Sequence, residues 1–215
     1  MFEGKNVFQI LQMGGFTLYI ILACSILSLA IILERIWTFR KASRVMRAQF
    51  MPRLAEQLRS GRRSEADAFA AASPSPFGRI AQAGLAVADK GEKSVANAMD
   101  RRIEEEVRSL ERFTGIIGTI GGTSVYIGLF GTVIGIINAF RQISLSVAVG
   151  GGMSTVIIGI AEALICTAAG IAVAVPSVVA YNLLLGRIAD MRSDFELAAS
   201  ETADLIRETD AQTKA

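Results

Sequence analysis

The sequence predicts an all-α integral membrane protein with three transmembrane helices, the second and third extended by long cytoplasmic helices. Three observations carry this. Hydrophobic residues make up 52% of the chain and 20 of the 215 residues are glycine; the mean hydropathy is +0.45. That is too apolar and too glycine-rich for an ordinary soluble domain of this size. Three stretches are free of charge, or nearly so, for long enough to cross a bilayer, which takes about 20 apolar residues as helix: Asn6 to Leu33, Phe113 to Phe140, and Gln142 to Gly186. Within the last, 45 consecutive residues hold a single charged side chain, Glu162.

In chain order, residues 1–15 form a short N-terminal segment and 16–37 the first span. No small-residue cleavage site follows that apolar run; Glu34-Arg35-Ile36-Trp37 does, so the span is expected to remain as an anchor. Residues 38–112 form a helical loop. There "TFRKASRVMRAQFMPRLAEQLRSGRR" reads as a helix interrupted at Pro52 and ended near Gly61, and "AASPSPFG", with Pro74 and Pro76, is the clearest break. "SVANAMDRRIEEEVRSLERF" is strongly helical, with Ile103, Val107 and Leu110 on one stripe. No breaker follows it, so one long helix is expected to run into the second span, over 113–145.

Gly150-Gly151-Gly152 marks a turn over 146–154 that divides the uncharged run, and the third span occupies 155–186. The membrane portions run from about Ser124 to Leu145 and from Thr155 to Val178, with Arg141 near the outer end of the former, where it can snorkel to the interface. Residues 187–215 continue as an amphipathic helix, with Ile188, Met191, Phe195, Ala198, Thr202 and Leu205 at alternating spacings of three and four. Neighbouring helices of the same assembly are the simplest partner for that stripe.

Charge sets the expected topology. Between Arg40 and Arg112 there are 15 Lys and Arg against 10 acidic residues, whereas the N-terminal segment has only Lys5 and the 146–154 turn has no cation. The loop and tail are therefore expected in the cytoplasm, and the N-terminus and the Gly-rich turn outside. The loop arginines alternate with Glu, which suits solvated helices better than a nucleic-acid surface. Histidine is absent, which removes the commonest metal ligand and general base; no metal, cofactor or enzymatic chemistry is expected. Cys24 and Cys166 fall inside spans and are expected as free thiols.

Two motifs carry functional content. "YIGLFGTVIGIINAF" places Gly131, Gly135 and Ala139 four residues apart, which removes bulk from one helix face and permits close approach. Simple packing accounts for these residues, and Thr132 beside them could merely bond the carbonyl one turn back. The small faces on spans two and three also imply tight self-assembly into a ring. In "GIAEALICTAAG" Glu162 is different: a carboxylate in hydrocarbon costs several kcal/mol, so it faces a cavity or bundle interior, as a functional group or a structural hydrogen-bonding one.

Counting from Leu145 and Thr155 as outer ends, Thr132 and Thr167 both lie about 20 Å deep and Glu162 about 10 Å deep, at 1.5 Å per residue. Five residues separate Glu162 from Thr167, or about 140° around the helix, so they face different ways. One is expected toward a lumen and the other toward a subunit seam. Cys166, Ala169, Val173 and Pro176 accompany Glu162, and Ala163, Gly170 and Ala174 accompany Thr167. Pro176 is expected to kink the helix below the site.

"GLFGTVIGIINAF" followed by "GIAEALICTAAGIAVAVPSVVAYN" resembles the paired signature of the ExbB/TolQ proton-channel proteins, relatives of the flagellar stator MotA. The resemblance implies a homopentamer surrounding two copies of an ExbD/TolR-type single-span partner, in the bacterial inner membrane. Proton motive force would be converted into motion of that partner and delivered to a client such as a TonB/TolA-type periplasm-spanning protein. Family roles fall on Glu162, Thr132 and Thr167 as polar residues of the proton path, with Gly131, Gly135, Ala139, Ala163, Gly170, Ala174 and Pro176 packing around the pore. The essential Asp of the family belongs to the partner. Where many relatives have a proline before "GLFGTV", this chain has Ser124-Val125-Tyr126. The competing readings are a proton-coupled secondary transporter, for which broken helices and inverted repeats would be expected, and a passive scaffold in which Glu162 is expendable.

Overall fold

The structure, a computed structural model, describes residues 15–42, 47–146 and 153–214. The N-terminal segment up to residue 14 and the Gly150-Gly151-Gly152 turn lie outside the described residues. Among the described residues seven α-helices follow one another: α1 (Gly15–Ala42), α2 (Arg47–Arg59), α3 (Arg63–Ala72), α4 (Pro76–Leu85), α5 (Glu92–Glu111), α6 (Thr114–Ser146) and α7 (Met153–Lys214), with a 3-10 turn at Ala88–Lys90 before α5. Among the described residues there is no strand. Two units each pack upon themselves: Met1–Leu33 with Phe113–Leu183, and Glu34–Arg112 with Leu184–Ala215.

The first unit holds the apolar stretches. Among the described residues three segments are long and apolar enough to cross a membrane, Gly15–Arg40, Thr114–Arg141 and Ile157–Ala211, and only 28% of each apolar window is buried. Phe16, Leu29, Tyr126, Phe130, Phe140 and Leu183 are exposed, so these outer faces suit hydrocarbon or neighbouring helices rather than water. Helices α6 and α7 run antiparallel along small residues. A Cβ built on Gly131 would lie 2.7 Å from Cβ of Cys166, one on Gly135 2.6 Å from Cβ of Ala163, and one on Gly159 2.7 Å from Cβ of Ala139. Further along, one on Gly170 would lie 2.5 Å from the Ser124 carbonyl oxygen. Loss of side-chain volume at these levels lets the backbones meet. Helix α1 joins through a buried hydrogen bond between the Ser28 and Ser177 hydroxyls, 2.8 Å. Both cysteines are free thiols.

The second unit has a core of large apolar side chains. Phe50 stacks on Phe69 at 5.3 Å between ring centroids, and Phe77 meets Phe195 edge-on, also at 5.3 Å. Ile103, Val107 and Leu110 are buried, as their stripe predicts. The break at "AASPSPFG" falls between α3 and α4, where the Ser75 hydroxyl accepts from the Gly78 N–H and Pro76 opens the next helix. Glu106 is buried, with Arg79 hydrogen-bonded to both its oxygens at 2.6 Å and Arg102 at 2.9 Å. The hydrogen bonds from Arg79 to Glu106 hold the guanidinium proton more firmly still, raising the arginine above its ordinary value.

Three expectations differ from the structure. Pro52 does not interrupt its helix: α2 runs through it, because Phe50, Met51, Leu54, Ala55 and Leu58 are all buried on one side and that packing outweighs one lost backbone hydrogen bond. The helix expected to run unbroken into the second span ends at Glu111, and Phe113 has φ of 66°. The buried Arg35 supplies the reason, since its Nη1 donates to the carbonyls of Ser109 and Leu110 at 3.2 and 3.3 Å. A cation thereby satisfies final carbonyls that a continuing helix would otherwise use. Arg35 itself is held by the adjacent Glu34, through Nε at 2.5 Å and Nη2 at 2.6 Å. Thirdly, Ile188, Met191, Phe195, Ala198, Thr202 and Leu205 are all buried within this chain. The tail stripe needs no second copy, because α2 and α4 cover it: Phe77 packs on Phe195, and the Thr209 hydroxyl donates to the Leu58 carbonyl at 3.1 Å.

Candidate functional site

Glu162 precedes Ala163, the residue that meets Gly135, so helix packing carries the carboxylate to the edge of the α6–α7 seam. The side chain is half-buried and lines a cleft of about 710 Å³ within the first unit, together with Phe16 and Thr17 of α1, Asn138 and Arg141 of α6, and Cys166 of α7. Gly131, Gly135, Ala139 and Ala163 also line it. Among the described residues no hydrogen bond or ion pair engages the Glu162 carboxylate. Thr17 is buried, closes the cleft beside Gly131 and hydrogen-bonds the Cys166 thiol.

The threonines stand differently, and neither lines the cleft. Thr132 donates to the Leu129 carbonyl in its own helix at 2.6 Å. Thr167 donates across to the Gly128 carbonyl of α6 at 3.2 Å, tying α7 to α6. Since Gly131 opposes Cys166, the two hydroxyl-bearing residues are about two residues, or 3 Å, apart in level. Glu162 is five residues from Thr167 on α7, about 7.5 Å along the axis.

Gly170 and Ala174 are buried, while Pro176 is exposed and α7 continues through it. One expected grouping changes. Cys166 belongs to the packed stripe of Ala163, Gly170 and Ala174, since it is buried against Gly131; the narrow seam takes in both sides of the angle between Glu162 and Thr167. Two further polar features escaped sequence reasoning, the Ser28–Ser177 bond and Thr17 on the cleft wall. Neither has a sequence signal, since a lone hydroxyl in an apolar helix reads as self-satisfied. Arg141 did carry one: between Arg112 and Arg187, a run of 74 residues, it and Glu162 are the only charged side chains. Among the described residues no cluster of three or more metal-ligating side chains occurs.

The arrangement defines a class: a helical membrane protein whose single intramembrane carboxylate opens on a cleft between three spans. The model of the MotA/TolQ/ExbB proton channel family matches residues 72–197, and the chain belongs to that family. It is 40% identical over 127 residues to the Tol-Pal system protein TolQ of Pseudomonas aeruginosa, covering 56% of this chain and 54% of that protein. It is 37% identical over 119 residues to the biopolymer transport protein ExbB of Pseudomonas putida, covering 55% and 36%. A biopolymer transport protein ExbB homolog of Methanothermobacter thermautotrophicus is 31% identical over 197 residues, covering 92% and 69%. The chain spans about half the length of the TolQ protein and about a third of the Pseudomonas ExbB.

Proposed function

We propose that this chain is the channel-forming subunit of a proton-driven motor in the bacterial inner membrane, with its N-terminus outside and its C-terminus in the cytoplasm. Five copies would surround two single-span partners of the ExbD/TolR type, and proton motive force would move those partners to energise transport or envelope work. The observation that carries this reading is the lone carboxylate of Glu162 on a cleft between three apolar helices. Buried carboxylates in hydrocarbon mark ion paths, and membership of a proton-channel family supports the proton as the ion. In this reading Glu162 passes protons between the outer face and the partner's carboxylate, and Thr132 and Thr167 act further in. The small residues at 131, 135, 139, 163, 170 and 174 hold the helices close around that path, with Pro176 below it.

The test compares two variants in the co-expressed complex. Glu162→Gln keeps shape but cannot titrate; Glu162→Asp titrates from one methylene shorter. A relay gives severe loss of proton flux and client activity for Gln and partial function for Asp, with assembly intact in both by pull-down. A structural role gives the reverse order, and unchanged flux through the Gln variant would eliminate the relay.

A further inference from the structure

The cleft holds a second formal charge that the relay leaves unused. Arg141 and Glu162 are its two charged lining residues among those described, of opposite sign and from opposite helices. Ala139 opposes Gly159 and Gly135 opposes Ala163, so in the antiparallel register Arg141 stands about five residues, or about 7.5 Å, from the level of Glu162. The other titratable group on the cleft is the Cys166 thiol, which is buried and bonded to Thr17; the α1 wall contributes Gly15, Phe16 and Thr17, with no charge.

We propose that Arg141 is the specificity-determining residue of this cleft, a built-in counter-charge that keeps metal cations from Glu162 while leaving the carboxylate open to protons. An isolated carboxylate in a low-dielectric cleft attracts whichever small cation the solution offers. Sodium gains only electrostatic attraction and oxygen coordination there, and a guanidinium on the same cleft weakens the former. A proton forms a covalent O–H bond and still binds against the same field. Arg141 acts through the field it sets at Glu162 and through no bond of its own to the transported ion.

This assignment rests on Glu162 as the relay, and the test separates the two. Reaction of Glu162 with dicyclohexylcarbodiimide is followed at fixed pH in the assembled complex, in sodium chloride and in choline chloride of equal ionic strength. Wild type and Arg141→Lys are expected to label equally in both salts, whereas Arg141→Gln and Arg141→Ala label several-fold less in sodium, because the ion now occupies the carboxylate. Sodium protection of the wild type overturns the proposal, and so does equal labelling of the Gln and Ala variants in both salts. Arg141 is exposed at the end of its span, so these variants should fold; size-exclusion profiles check it, and the wild-type arm decides without them. Normal flux through Glu162→Gln would sink the relay itself, whereas sodium-indifferent Arg141 variants with a dead Glu162→Gln sink only the role of Arg141.

Discussion

Thr132 and Thr167 have the same hydroxyl in nearly the same layer but different partners. Thr132 bonds within its own helix and Thr167 bonds the Gly128 carbonyl of the facing helix. Valine keeps the volume of threonine while deleting the hydroxyl. Thr167→Val is therefore expected to cost about 1 kcal/mol of stability through the lost cross-helix bond and to lower proton flux with the ring still assembled. Thr132→Val should change stability by a few tenths of that, its bond being local. Thermal unfolding in detergent and flux in vesicles read the two effects separately. Normal flux in the Thr167 variant would reduce that hydroxyl to a tie between helices.

At the scale of elements, the α6–α7 contact depends on absent side chains. A methyl group on Gly170 would lie 2.5 Å from the Ser124 carbonyl oxygen and 3.1 Å from the Gly128 Cα, backbone atoms that cannot swing aside. Gly170→Ala should therefore destabilise by about 1–3 kcal/mol through overpacking. Gly186, on the same helix, has nothing within 4 Å of a built Cβ, so Gly186→Ala should be neutral or stabilising by up to about 1 kcal/mol from helix propensity. Thermal melts of the two variants test the pair, and equal effects would show that the seam yields more readily than its geometry says. The same scale explains the joint after α5: the Arg35 guanidinium on the final carbonyls ends a helix that propensity alone would continue.

For the whole molecule the two units make different demands. The second buries its amphipathic stripes within the chain, including the entire tail stripe from Ile188 to Leu205. The first leaves most of every apolar span uncovered, and in the proposed ring, lipid and neighbouring copies would cover it. Native mass spectrometry of protein extracted in mild detergent should accordingly find an oligomer, five copies on the proposed reading. A monomer under those conditions would count against the ring. Since the tail is already covered in the monomer, truncating residues after 187 is expected to unfold the second unit by exposing Phe50 and Phe77, rather than simply to detach neighbouring copies.

The sequence by itself determined the class of this protein, its three spans and the identity of the lone carboxylate, because each of these is a one-dimensional property: the length of an uncharged run, the period of a stripe, the presence of a single Glu. Family membership followed from the same residues, in two motifs whose order and separation are readable along the chain. What only the tertiary structure decided was partnership. The tail stripe could be seen to need cover, yet nothing along the chain says that α2 and α4 supply it. Pro52 reads as a breaker until the buried face around it is known, and the end of α5 is set by an arginine 74 residues before Ser109. Arg141 and Glu162 were each legible as charges in apolar surroundings, but their meeting on one cleft arises from the antiparallel register of α6 against α7, which the glycine contacts set and no local pattern encodes.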